Sequence, residues 1–386
     1  MNLLTIIVPT YNRSTLLRRC LDFIRKQHPQ VPLIVADSSA AAEMKVNESI
    51  ATAHPGLRYF AFDPSTPGAQ KFADAVTKVE TKYACFCADD DLINVSAAIA
   101  CAQFLADHPD YAACHGTYVR FSCNEAEDIQ FEDWEYRSPS IDGDDPALRV
   151  LQLLSNYEAP FYAVQPTAVL SAALQACECG KFTMMQELAN ALWMAMSGKI
   201  RRVDGLYYFR QAGDAATHAF SEPYVYLSER FPTINVEYGD MAKALVDRFA
   251  HASSDASRSV LLRTLYFGFL VYLYRSIDFV QLSRTMVPEL PTEALLELRR
   301  IRPRAFQPGI RFVWEQMLTR IGASAKRYAG YDRGTDPRRY RAGDRTVWIS
   351  RALDETLRKA DRSMIRTLFG HAGGVIAAEG RQPDRA

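Results

Sequence analysis

The chain has 386 residues, 48% of them hydrophobic, and its 45 Lys and Arg are balanced by 45 Asp and Glu. That length exceeds one ordinary hydrophobic core, so two domains are expected. The even charge gives no electrostatic ground for binding nucleic acid or an acidic substrate. Its eight cysteines read as buried thiols of a reducing compartment, because Cys85 and Cys87 fall in an apolar run and Cys177-Glu178-Cys179 lacks the spacing of a zinc site.

Leu3 to Val8 is an apolar, β-branched strand that runs into the polar turn Pro9-Thr10-Tyr11-Asn12-Arg13 and then a helix, Ser14 to Arg25. A second strand, Val31 to Ala36, ends at Asp37-Ser38-Ser39, which puts a carboxylate just past the carboxyl end of a parallel strand. The turn-forming stretch Pro64 to Phe72 leads into a helix, Ala69 to Val79, that carries Lys71. A third strand, Tyr83 to Cys87, is followed by Asp89-Asp90-Asp91. Three adjacent carboxylates repel one another, so a fold exposes them, separates them by hydrogen bonds, or gives them a cation. Oxygen-only ligands suit Mg²⁺ or Mn²⁺, and such an ion usually arrives with a phosphate. The plain alternative is a solvated acidic turn in which Asp91 caps the helix Leu92 to Leu105. If the strands at residues 3–8, 31–36 and 83–87 are parallel neighbours, Thr10, Tyr11, Asp37 and the Asp cluster gather at one sheet edge, where open α/β sheets bind ligands. An aromatic ring, an isolated carboxylate and a metal-binding cluster are what a nucleoside diphosphate needs for its base, ribose and phosphates.

Further along, Cys114-His115-Gly116 follows the strand-like Tyr111 to Cys114 and is either a pocket lining, where Gly lets a ligand approach the backbone, or a tight strand-end turn. Glu187 is the only carboxylate from Lys181 to Ile200 and begins an amphipathic helix with Leu188, Leu192 and Met196 on one face. A Glu in a first helical turn is also explained by the helix dipole alone. Leu206 to Gln211 reads as an aromatic strand containing Arg210, and the polar loop Ala212 to Ser221 after it contains His218.

At this point the chain resembles the inverting glycosyltransferases of family 2, which have the GT-A fold. The resemblance rests on Ile7-Val8-Pro9-Thr10-Tyr11-Asn12-Arg13, on Val35-Ala36-Asp37-Ser38-Ser39, and on Asp89-Asp90-Asp91 in the place of the family's Asp-x-Asp motif; it covers roughly the first 220 residues. It implies that Pro9 to Arg13 line the nucleotide pocket, that Asp37 accepts a hydrogen bond from the base, that Asp89 reaches the ribose with Asp90 beside it, and that Asp91 holds the Mg²⁺ or Mn²⁺ bridging the donor's phosphates. Family members usually carry Gly and then Ala-Arg-Asn before the metal motif. Here Lys71 is the nearest basic equivalent, a point cation without the bidentate geometry of Arg. The family's base comes from an acidic pair near a helix start well downstream, and the matching stretch has Gln186-Glu187, which assigns the base to Glu187. A loop after the next strand closes over the donor in related enzymes, making Arg210 a donor contact and His218 a metal or diphosphate contact; His115 is a candidate for the donor pocket.

From about Glu222 the strand–helix alternation gives way to helical periodicity at Asp240 to His251, Ser257 to Leu282, Thr292 to Ile301 and Phe312 to Tyr328. The expected layout is a GT-A domain over residues 1–225, a helical C-terminal domain over 226–369, and a disordered tail over 370–386. The first strand starts at once and the longest later apolar run, Leu265 to Tyr274, falls short of the ~20 residues needed to span a bilayer, so a cytoplasmic protein is expected. Arg299 to Arg351 holds 14 Lys or Arg against 4 Asp or Glu. That stretch is a peripheral contact with anionic lipid, a glycan-, partner- or oligomer-facing surface, or a solvated face.

The sequence therefore predicts a metal-dependent, inverting transfer of a sugar from a nucleotide-diphosphate donor, a UDP-sugar first, to a glycan, lipid-linked or protein acceptor, with no nucleic-acid partner. Two rivals stay open. A nucleotidyltransferase should carry a Gly-rich phosphate loop, and Pro9 to Arg13 contains no Gly. A non-catalytic nucleotide-sugar-binding scaffold would keep the metal motif without a working base. A glycoside hydrolase would not require the nucleotide pocket.

Overall fold

The computed structural model describes residues 3–123, 129–136, 138–181, 183–211, 233–250, 254–276, 338–342, 345–349, 361, 364, 365 and 369. The chain begins with β1 (Leu4–Thr10), α1 (Ser14–Gln27), β2 (Leu33–Asp37), α2 (Ala41–Thr52), β3 (Leu57–Ala61), α3 (Gly68–Val76) and β4 (Tyr83–Phe86). β2 and β4 are buried at every position and β1 at all but Pro9. Such continuous apolar strands belong in a parallel sheet covered on both faces. The order is β3-β2-β1-β4, all parallel, with the two-residue β8 (Gln165–Pro166) antiparallel at the edge beyond β4. α1 turns Leu17, Cys20, Leu21 and Ile24 onto one side of this sheet. On the other side, Ile7, Ile34 and Phe86 pack with Ala75 and Val76 of α3 and with Leu170 and Leu174 of α6 (Thr167–Ala176).

A second sheet is built from β5 (Leu92–Ile93), β6 (Tyr111–Cys123), β7 (Ile129–Tyr136), β9 (Lys199–Gln211), β10 (Arg338–Ala342) and β11 (Arg345–Ile349), in the order β10-β11-β7-β6-β9-β5. Between these strands lie α4 (Val95–Asp107), α5 (Pro146–Ser155), a 3₁₀ turn (Cys177–Cys179) and α7 (Thr183–Ser197). Downstream come α8 (Ile234–Phe249) and α9 (Asp255–Ser276). Both share one apolar cluster with α5 and α7, in which Tyr238 stacks on Phe269 at 3.8 Å. Near the C-terminal end, Phe369 is fully buried against Phe23, Phe131 and Phe209, with ring centroids 5.1–5.5 Å apart, and Asn94 Nδ2 donates to Met364 Sδ at 2.8 Å.

Several expectations are corrected. Asp91 does not cap a helix over Leu92 to Leu105: Leu92 and Ile93 pair with β9, and Asn94 caps α4 by accepting from Ala97 N at 3.2 Å. Cys114-His115-Gly116 is not a strand-end turn, because β6 runs through it to Cys123. A Cβ on Gly116 would lie 2.6 Å from the Gly205 carbonyl oxygen of β9, so the Gly serves strand-to-strand contact. The hairpin β10–β11, joined to β7, interrupts a stretch whose periodicity had announced only helices. The expected helices at 292–301 and 312–328, and the tail at 370–386, lie outside the described residues. Among the described residues no helix is long and apolar enough to cross a membrane.

Candidate active site

The parallel register sets Thr10 directly beside Asp37 and brings β1, β2 and β4 to an end on one edge of the sheet. β1 then breaks at Asn12, whose φ of 55° lies in the left-handed region that Asn tolerates better than most residues. The turn is tied to the loop after β2: Asn12 N donates to Ser39 Oγ at 2.7 Å, and Ala40 N donates to Asn12 Oδ1 at 2.8 Å. Tyr11 is left 46% exposed beside this edge, with Pro9 half-buried before it. Asp37 is wholly buried and accepts from Ser39 N, Asn47 Nδ2 and Tyr59 Oη at 2.6–2.9 Å. As placed, it braces the loop that carries Ser38 and Ser39.

The acidic cluster is threaded through this frame. Asp89 accepts from Thr10 Oγ1 at 2.7 Å and from Arg13 Nη1 at 3.1 Å; the same guanidinium nitrogen reaches Asp90 at 2.8 Å. Burial pushes the Asp89 carboxyl up to about 6, with Asp90 adding to the rise and Arg13 and Thr10 opposing it. Asp91 is also buried and accepts from Gln211 N, at the end of β9, at 2.8 Å. Its pKa is raised by burial and by Asp90 and drawn back by Arg210. Lys71 lies on α3. It is buried, and Nζ donates to the Thr10 carbonyl at 3.0 Å and to Ser38 Oγ at 2.9 Å, thereby joining the ends of β1 and β2. Its pKa is lowered by burial, against the attraction of Asp89 and Asp37.

Glu187 lies on α7, a helix in which only Glu187 and Ser197 are exposed. The helix starts at Thr183, so Glu187 sits past the first turn and the helix dipole does not account for it. Its pKa is raised by desolvation from the surrounding protein, with Arg210 opposing. Arg210, half-buried on β9, thus acts electrostatically on both Asp91 and Glu187. The Tyr162 hydroxyl has its pKa raised by burial, with Asp91, Asp90 and Glu187 adding to the rise and Arg210 opposing it.

Most of the expected residues are therefore gathered. Pro9, Thr10, Tyr11, Asn12, Arg13, Lys71, Asp89, Asp90 and Asp91 share the sheet edge, and Arg210 relates this edge to Glu187. His115 is set apart: it is buried inside β6, its Nδ1 is 2.8 Å from the Gly116 carbonyl oxygen, and burial pushes its pKa down to about 4. His218 lies outside the described residues. Among the described residues no three His, Cys, Asp or Glu side chains converge as a closed metal cage. The carboxylates of the consecutive residues Asp90 and Asp91 nevertheless have the hard-oxygen chemistry by which Mg²⁺ or Mn²⁺ is taken up, one or two carboxylates with phosphate and water completing the shell. Sequence reasoning missed Arg19, Asn47 and Tyr162. Arg19 donates to the Asp90 carbonyl at 2.5 Å and Asn47 to Asp37, yet each looks like an ordinary polar residue on a helix.

An open α/β sheet that collects a nucleotide-sized constellation at the carboxyl ends of its strands, joined to a mixed second sheet, is GT-A architecture. Residues 5–151 match the model of glycosyl transferase family 2. No curated protein matches the sequence. Solved structures that resemble it include S. aureus TarS 1-349 (14% identity, TM-score 0.46, covering 89% of this chain and 95% of that one). The same TarS fragment in complex with UDP-GlcNAc aligns with a TM-score of 0.44 at 14% identity, over 89% and 95% of the two chains. The mannosyltransferase PcManGT from Pyrobaculum calidifontis, in complex with GDP-Man and Mn²⁺, aligns with a TM-score of 0.40 at 16% identity, over 86% and 88%.

Proposed function

We propose that the chain is an inverting, metal-dependent glycosyltransferase that moves a sugar from a nucleoside-diphosphate donor to an acceptor hydroxyl, with Glu187 as base. The observation that supports this reading is the Asp89–Asp91 cluster held at the sheet edge by Thr10 and Arg13, with Arg210 drawing down the pKa of both Asp91 and Glu187. Tyr11 offers an open ring to the donor's base, while Thr10, Arg13 and Lys71 fix the cluster beneath it. Asp91, with Asp90 beside it, would hold Mg²⁺ or Mn²⁺, which supplies positive charge to the departing diphosphate when bound. Arg210 lies where it can add to that charge.

Glu187 takes the proton of the acceptor hydroxyl as the acceptor oxygen bonds to the anomeric carbon. The bond from that carbon to the diphosphate oxygen breaks, its electron pair leaves with the nucleoside diphosphate, and the anomeric centre inverts. A base must be ionised to act, so the raised pKa of Glu187 places the acid limb of the rate above the ordinary glutamate value of roughly 4.3. A UDP-sugar donor, a surface-glycan or lipid-linked acceptor and a cytoplasmic location complete the reading.

The test is nucleoside-diphosphate release from a nucleotide-sugar panel with candidate acceptors, for the wild type and Glu187→Gln. The expected result is a fall in kcat of roughly 10²–10⁴-fold with donor binding retained and the acid limb abolished. Full turnover in the variant would remove Glu187 as base. Donor binding with no wild-type turnover would turn the reading to a scaffold.

A further inference from the structure

The segment between α5 and β8 carries an aromatic ring that none of the family motifs supplies. Tyr162 is half-buried and stacks on Tyr208, with centroids 4.7 Å apart and planes at 17°; Phe161 meets it edge-on at 5.3 Å. Its support is rigid. The Tyr162 carbonyl accepts from Tyr207 Oη at 2.7 Å, and two residues on, Val164 exchanges both backbone hydrogen bonds with Cys114 at 2.9 Å. Tyr208 in turn accepts from Ala88 N at 3.0 Å, immediately before the acidic cluster. The ring stack is therefore built onto the loop that carries Asp89 to Asp91. One face of Tyr162 is covered by Tyr208, the residue keeps partial exposure to solvent, and Asp91 and Glu187 both add to the rise that burial causes in the pKa of its hydroxyl.

We propose that Tyr162 is the platform for the transferred sugar, its ring packing against the apolar C–H face of a pyranose held between the acidic edge and Glu187. The inference rests on the glycosyltransferase reading above. A sugar whose anomeric carbon lies between leaving group and base must pass through this space, and a neutral ring on a rigid support offers it contact area at little entropic cost. Tyr162 thus determines how the enzyme distinguishes a nucleotide sugar from the nucleoside diphosphate alone.

The experiment compares, by calorimetry, the binding of UDP with that of UDP-glucose, UDP-GlcNAc and UDP-galactose, and of GDP with that of GDP-mannose, in the presence of Mn²⁺. The proteins are the wild type, Tyr162→Phe, Tyr162→Leu and Tyr162→Ala. Expected are unchanged nucleoside-diphosphate affinity throughout, nucleotide-sugar affinity weakened roughly five- to tenfold in Tyr162→Ala and Tyr162→Leu, and rescue by Tyr162→Phe, which keeps the ring. Equal weakening of diphosphate and sugar nucleotide would mark Tyr162 as scaffold and overturn the proposal, as would no change in either. If the wild type binds none of these molecules, the glycosyltransferase reading fails and the platform fails with it, an outcome distinct from the other two.

Discussion

The hydroxyl of Thr10 donates to a carboxylate oxygen of Asp89 at 2.7 Å, joining the end of the first strand to a residue 79 positions away in the acidic cluster. Both groups are buried, so removing the donor leaves a carboxylate oxygen short of a partner. Thr10→Val keeps the shape and removes the hydroxyl; the expected cost is about 1–3 kcal/mol by urea unfolding, with Thr10→Ser recovering most of it. A Thr10→Val protein as stable as the wild type would mean the bond contributes nothing to the edge.

Arg13 holds Asp89 and Asp90 together, and this carries a pH signature. Asp89 has a folded pKa of about 6, above its unfolded value of roughly 3.9. Its contribution to stability is therefore fully present below the unfolded value and is lost as pH rises through the folded one. Arg13 opposes that rise, so Arg13→Met raises the folded pKa further and steepens the loss. The variant's deficit against the wild type in ligand-free unfolding is expected to be larger at pH 7.5 than at pH 5. Equal deficits would show that the ion pair is screened.

Gly180 abuts the start of α7. A Cβ there would stand 2.6 Å from both Gln186 N and the Met185 carbonyl carbon, and backbone atoms do not swing aside as a flexible side chain does. Gly180→Ala therefore shifts the turn that carries Glu187 while the strand-end donor edge is untouched. Misplacing a reacting group by ~1 Å costs about 10²-fold in rate, so kcat should fall strongly with nucleoside-diphosphate affinity held. An unchanged kcat would mean that α7 tolerates the shift or that Glu187 is not at the chemistry.

Phe369 closes a ring cluster with Phe23 of α1, Phe131 of β7 and Phe209 of β9, the residue before Arg210. Phe369→Ala is expected to cost roughly 3–5 kcal/mol in chemical denaturation. A cost below about 1 kcal/mol would show that the C-terminal contact is peripheral to the fold.

The sheet edge was legible in the sequence because parallel, doubly buried strands write themselves as unbroken apolar runs, and their ends are marked by Thr10, Asp37 and Asp89. The third parallel strand, β3, passed unnoticed: Leu57 to Phe60 are only half-buried and Ala61 is exposed, so its sequence lacks that signature. Burial of Lys71 was equally unreadable. It depends on how α3 lies over the strand ends, and a single Lys looks the same in sequence whether it is solvated or holds two loops together. Gln186-Glu187 falls in a helix, but the helix start at Thr183, and with it the failure of the dipole explanation, appears only in three dimensions.

The most direct test of the central claim is thermal stabilisation of the purified protein by a panel of nucleoside diphosphates, with and without Mn²⁺, in the wild type and Asp91→Ala. Ligand that binds only the folded state raises Tm. The expected result is a rise that needs both a particular nucleoside diphosphate and the metal and that disappears in Asp91→Ala. No rise with any nucleotide, or the same rise in the variant, would contradict a donor site at the Asp89–Asp91 edge.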